Sequence, residues 1–140
     1  MIAKPETRYE LLIVDDDSRF RETLRLVFEP HFELVEAECG EEAIEIVQQH
    51  PVSLILLDMH MSVLTGLETL RIVRSIFARL PCILITADAT DELRRDAAEA
   101  QAFSVLRKPV ARRELIGTVA TAFEQVYADA QVSGRLRGVS

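Results

Sequence analysis

Apolar residues in this chain switch between two spacings: five short, nearly continuous runs are each followed by a stripe that recurs every three or four residues. The runs cover residues 9–14, 32–36, 52–57, 82–86 and 103–107. The stripes are Phe20, Leu24, Val27 and Phe28; Ala43, Ile44 and Val47; Leu67, Leu70, Val73 and Phe77; Leu93, Ala97 and Ala100; and Leu115, Val119, Phe123 and Tyr127. Strands alternating with helices of this length pair in parallel, and the helices must lie against the faces of the sheet. Breakers fall between the elements: Pro30 and Pro51 close the first two helices, Pro81 precedes the fourth strand, and Pro109 can open the fifth helix.

The first and third runs, LLIV and VSLILL, are apolar throughout and belong in the middle of a sheet covered on both faces. The second alternates with Glu33 and Glu36, and the fifth carries Ser104 and Arg107, so both read as edges. Right-handed crossovers then predict a doubly wound α/β fold: a five-stranded parallel sheet in the flavodoxin-like order 2-1-3-4-5, with helices on both faces. A chain of 140 residues suits one domain. Residues 1–8 read as an N-terminal extension, 9–125 as the domain, and 126–140 as an extension of helix five with a flexible C-terminal tail.

Net charge is −7 and the arginines are scattered, which argues against a direct nucleic-acid surface. No apolar run approaches the roughly 20 residues needed to cross a bilayer, and the opening MIAKPETRYE lacks a secretory core, so a cytoplasmic location with no membrane insertion is expected. Cys39 and Cys82 have no metal-ligand spacing and are expected to be reduced thiols, Cys82 packing as a small hydrophobe.

In the predicted order, four contiguous strands end on residues able to handle phosphate: Asp15 and Asp16, Asp58, Thr86 and Lys108. Taken singly, each has an ordinary explanation. Acidic residues cap helices, as Asp17 and Ser18 are expected to do; an Asp at a strand end forms turns; Thr86 could cap or pack; Lys-Pro is common turn material. Together, three carboxylates in one crevice repel one another, and a fold keeps them when a cation offsets the charge. All-oxygen ligands with room for water suit Mg²⁺.

The set VDDD, LLDMHM, Thr65-Gly66, ITADA and LRKPV, in order on those strand ends, resembles the response-regulator receiver domain of two-component signalling over about residues 9–125. The resemblance implies that Asp58 accepts a phosphoryl group from the phosphohistidine of a histidine kinase or phosphotransfer protein. It implies that Asp15, Asp16, Asp58 and the backbone carbonyl of His60 hold Mg²⁺, that Lys108 binds phosphate, and that Thr86 couples modification to helix four, strand five and helix five. It implies a cis bond before Pro109. The chain would then be no enzyme toward a diffusible substrate, catalysing only its own phosphoryl transfer and dephosphorylation.

Three positions depart from the family pattern. Val105 replaces a common aromatic, with Phe103 two residues back on the same strand face; Ser62 replaces a proline of the acceptor loop; Gln101 stands where glycine is common. His60 and Asp88 are expected to flank the path of hydrolytic water. Helix five, with Phe123, Val126 and Tyr127, offers either a homodimer surface together with helix four and strand five, or a linker. A receiver that is part of a longer transcriptional or enzymatic regulator is the alternative. An aspartyl-phosphate hydrolase is a weaker rival, because His60 stands where a second acid would be sought.

Overall fold

The computed structural model describes residues 8–138, so all but the last residue of the expected N-terminal extension lies outside the described residues. The elements run β1 (Glu10–Val14), α1 (Ser18–Phe28), β2 (Glu33–Ala37), α2 (Gly40–Gln49), β3 (Val52–Asp58), α3 (Gly66–Ile76), β4 (Cys82–Thr86), α4 (Asp91–Glu99), β5 (Ser104–Arg107), α5 (Arg112–Tyr127) and α6 (Ala130–Leu136). All strand pairs are parallel and the order is β2-β1-β3-β4-β5, as the apolar pattern predicts.

Side chains alternate across the sheet and divide the interior into two layers. Leu11, Ile13, Leu54, Leu56, Ile83, Ile85 and Leu106 face α1 and α5, where Leu24, Phe28, Leu115, Val119 and Phe123 meet them. Leu12, Val14, Ile55, Leu57, Cys82 and Leu84 face the other way, onto Ala43 and Val47 of α2, Leu70 and Val73 of α3, and Ala97 of α4. Every residue of β4 is buried, and β2 and β5 form the edges.

Local chemistry sets the helix starts. Asp17 accepts from the Arg19 amide, Thr90 accepts from the Leu93 amide, and Thr65 with Glu68 forms a reciprocal capping box. The cap of α4 is therefore Thr90 and not Thr86. Pro109 also differs from expectation as a helix opener: its peptide bond to Lys108 is cis, and α5 begins only at Arg112.

The C-terminal segment departs most from expectation. Helix five stops at Tyr127, Ala128 takes a left-handed conformation with φ 51°, and Asp129 caps a separate helix by accepting from the Val132 amide at 3.0 Å. A straight extension would leave Val132 and Leu136 in water. Folding back buries both in the α1/α5 layer, at about 1.5–3 kcal/mol for each large apolar side chain. That outweighs the roughly 1–2 kcal/mol of one left-handed alanine. Tyr9 donates to Asp129 Oδ2 at 2.8 Å, and Arg137 binds Glu124, Ser133 and Thr121, securing α6 along α5. Phe123 is fully buried, and Tyr127 is half-buried and stacked on Tyr9.

Candidate functional site

Backbone hydrogen bonds across neighbouring strands bring the four strand ends to one edge. The Asp15 amide donates to Ala37 at 3.1 Å, the Met59 amide to Ile85 at 2.9 Å, and the Lys108 amide to Thr86 at 2.7 Å. Asp15, Asp58, Thr86 and Lys108 therefore arrive on a rigid frame. Asp16 sits one residue beyond Asp15 on the exposed turn. Gly66 makes room beneath Asp58: a Cβ there would lie 2.4 Å from the Asp58 carbonyl oxygen and 2.8 Å from Met59 Cα. That close approach accounts for the glycine of the Thr65-Gly66 pair.

One carboxylate oxygen from each of Asp15, Asp16 and Asp58 lies within 4.8 Å of the others, a cluster able to hold a metal ion. Lys108 Nζ donates at 3.1 Å to both Asp15 Oδ2 and Asp58 Oδ1. Asp15 and Asp58 are almost fully buried. Burial and then the charge of Asp15 raise the pKa of Asp58, with Lys108 opposing and Asp16 adding a little. For Lys108, burial works against the charged form, but hydrogen bonds to Asp58 and Asp15 and their charges prevail and raise its pKa. One lysine thus faces three acids, and a residual negative field remains that a divalent cation, bound by oxygen, can offset.

Thr86 is buried, and its Oγ1 lies 3.2 Å from His60 Nε2 while accepting from the Asp88 amide at 3.1 Å. His60 Nε2 is also 3.6 Å from Asp88 Oδ2, so the two loop residues singled out in the sequence meet each other above the threonine. Val63, in the loop after Asp58, is 82% exposed and has φ 69°, a conformation that costs a β-branched residue.

Val105 packs with the α2–α4 layer, whereas Phe103 packs with the α1/α5 layer. Phe103 precedes β5, so the two-residue period that would place it with Val105 does not apply. Gln101 has φ 64°, the left-handed geometry glycine serves best. Two contacts at the site carry no local sequence signature. Arg21 donates to the Asp15 carbonyl oxygen at 2.6 Å and pairs with Glu36, tying the acidic turn to β2. The Phe20 ring lies under Lys108, with Nζ 4.1 Å from its centroid.

Comparison with known proteins agrees with this geometry. The family model for the response regulator receiver domain matches residues 11–120. The transcriptional regulatory protein SrrA of Staphylococcus aureus (strain NCTC 8325 / PS 47) is 32% identical over 108 residues, covering 76% of this chain and 44% of that protein. This chain therefore matches less than half the length of that relative. A CheY-like receiver domain from Methanospirillum hungatei JF-1 superposes with a TM-score of 0.83 at 22% identity, covering 87% of this chain and 98% of that one. The CheX-CheY-BeF3-Mg+2 complex of Borrelia burgdorferi gives 0.79 at 25% identity, covering 82% and 89%. Fold, strand-end residues and sequence match converge, and the chain belongs to the response regulator receiver domain family.

Proposed function

We propose that this receiver is a phosphoacceptor switch in which Asp58 takes a phosphoryl group from the phosphohistidine of a histidine kinase or phosphotransfer protein. The observation that carries the reading is Lys108 Nζ held 3.1 Å from both Asp15 and Asp58 beside three convergent carboxylates. A carboxylate oxygen of Asp58 attacks phosphorus, the P–N bond breaks, and the imidazole leaves with the electron pair. Lys108 exchanges its Asp58 oxygen for a phosphoryl oxygen, and the Asp15 contact keeps it at the site. The Thr86 hydroxyl turns from His60 to donate to the phosphoryl group, which carries about two negative charges.

The carboxylates of Asp15, Asp16 and Asp58 suit Mg²⁺, which the His60 carbonyl would also ligate, and burial beside Asp15 raises the pKa of Asp58, a cost that a cation would relieve. When bound, Mg²⁺ supplies neutralisation of the charge on the transferring group. The chain would act on no diffusible substrate beyond its phosphodonor, and His60 with Asp88 would set access of water to the acyl phosphate.

Movement of Thr86 would be read out through α4, β5 and α5, whose exposed surface carries both charge signs, with Asp91, Glu92, Arg94 and Arg95 on α4, Arg107 on β5, and Arg112 and Arg113 on α5. Such a surface suits a homodimer. We assign the chain to the cytoplasm, in keeping with two free cysteines and no described helix long and apolar enough to cross a membrane. The 44% coverage of a transcriptional regulator favours a second reading of output, that of a receiver within a longer regulator. Incubation with acetyl phosphate and Mg²⁺ tests the central claim by intact mass. One phosphoryl group should appear on the native protein and none on Asp58→Asn; equal labelling of both would overturn it.

A further inference from the structure

We infer that Phe20 is a positioning residue for phosphoryl transfer, its ring face holding the Lys108 ammonium over the acceptor; the inference rests on the phosphoacceptor reading above. Lys108 Nζ lies 4.1 Å from the Phe20 ring centroid, well inside the roughly 6 Å range of a cation–π contact. The same nitrogen lies 3.1 Å from Asp15 Oδ2 and 3.1 Å from Asp58 Oδ1. Three partners thus hold one ammonium: two carboxylates buried at the strand ends, and an aromatic face supplied by the first turn of α1.

The ring is itself held. Phe20 is partly buried and packs against the α1/α5 layer, so one face has a fixed seat while the other is free for the cation. Lys108 is partly buried too, with its side chain 24% exposed. Removing water from around an ammonium strengthens its attraction to the ring quadrupole. A lysine also has many rotamers to lose, and fixing it costs less when its partners do not rearrange.

The ring matters because the carboxylate partners change during the reaction. Asp58 gives up one negative oxygen when that oxygen bonds to phosphorus, and Lys108 must shift to the phosphoryl group. Asp15 alone cannot fix the direction of that shift, since it pulls the ammonium toward β1. Phe20 exerts a pull that is the same before and after transfer, because its quadrupole does not depend on the state of Asp58. It keeps Nζ at the mouth of the crevice, where the incoming group arrives, instead of letting it collapse between the acids.

A graded test separates the ring's electrostatics from its bulk. Replacing Phe20 with mono-, di- and trifluorophenylalanine keeps the shape and progressively empties the ring face of negative potential. The maximal rate of phosphorylation from acetyl phosphate, in which the P–O bond to acetate breaks and acetate leaves, should fall step by step. A cation–π contact of ordinary strength corresponds to a fall of roughly two- to thirty-fold across the series. Phe20→Tyr should retain the native rate and Phe20→Leu should match the trifluoro variant, with the acetyl phosphate KM little changed throughout.

Nuclear magnetic resonance supplies a readout that needs no phosphorylation: the ε-methylene protons of Lys108 should resonate upfield from ring current in the native protein and return downfield in Phe20→Leu. A flat fluorine series in proteins that phosphorylate normally overturns the Phe20 assignment alone, as does a Lys108 signal indifferent to Phe20→Leu. Failure of the native protein to gain a phosphoryl group overturns the phosphoacceptor reading instead, and the positioning role with it.

Discussion

The two ends of the sheet handle buried polar groups in opposite ways. At the amino-terminal end most are matched within the protein: Tyr127 donates to the Ser53 carbonyl oxygen at 2.6 Å, Tyr9 donates to Asp129, and the terminal nitrogens of Arg74 reach the carbonyls of Phe77, Ala78, Leu80 and Gln101, leaving its Nε without a partner. At the carboxyl-terminal end Asp15 and Asp58 share Lys108 with Asp16 close beside them, and negative charge is left over. The first end holds the fold together; the second stores an electrostatic cost that a ligand can relieve. Function here occupies the end where the protein leaves its own chemistry incomplete.

The largest effect should come from the satisfied end. Phe123→Ala empties the centre of a ring cluster whose centroids lie 4.8–5.4 Å from it and should cost about 3–5 kcal/mol in urea unfolding. Mg²⁺ should still raise the melting temperature of that variant; loss of the response would mean that the two ends are not separable. Gly66→Ala forces a methyl against the Asp58 backbone and should cost about 1–3 kcal/mol while also weakening the Mg²⁺ response.

Asp58→Asn should move stability the other way. Because burial and Asp15 raise the Asp58 pKa, its ionised form opposes folding at neutral pH, and removing that charge should stabilise the metal-free protein. A clear loss in urea titration would show that Lys108 already balances the cluster and would erase the contrast between the two ends. Gln101→Gly should gain about 0.5–1 kcal/mol by relieving the left-handed backbone beside the Arg74 contact.

The smallest effect concerns pH. The Val132 amide holds the Asp129 carboxyl below its ordinary value, against some burial, with Tyr9 assisting. Stability from a lowered acid is present above its unfolded pKa and is lost as pH falls through the folded one. Docking of α6 should therefore loosen below about pH 4, seen as faster amide exchange at Val132. Exchange there that is independent of pH would assign the docking to Val132 and Leu136 alone.

The strand order and the meeting of Asp15, Asp58, Thr86 and Lys108 were legible because continuous apolar runs mark buried strands and parallel strands share one terminal edge. Helix six was not. The run EQVYADAQVSGRL is compatible with helix through Ala128, and no glycine or proline marks the left-handed turn. Only tertiary burial of Val132 and Leu136 decides that break. The contact between His60 and Thr86 and that between Phe20 and Lys108 join residues on separate elements, and Phe20 reads locally as one more apolar position of α1. Buried Cys82, its thiol pushed up to about 12 by burial, does behave as the small hydrophobe its strand suggests.

Helix six also fixes the direction in which the polypeptide leaves the domain. Helix five descends from the carboxyl-terminal edge of the sheet to its far end, and α6 climbs back along it until Leu136 and Arg137 lie beside Arg112, Arg113, Ile116 and Gly117. Cargo fused after residue 138 would thus emerge beside the first turns of α5, on the same half of the molecule as Lys108. A fluorophore placed there and a second on α4 would report events at Asp58 over a short lever arm, whereas cargo fused directly to Tyr127 would hang from the opposite pole.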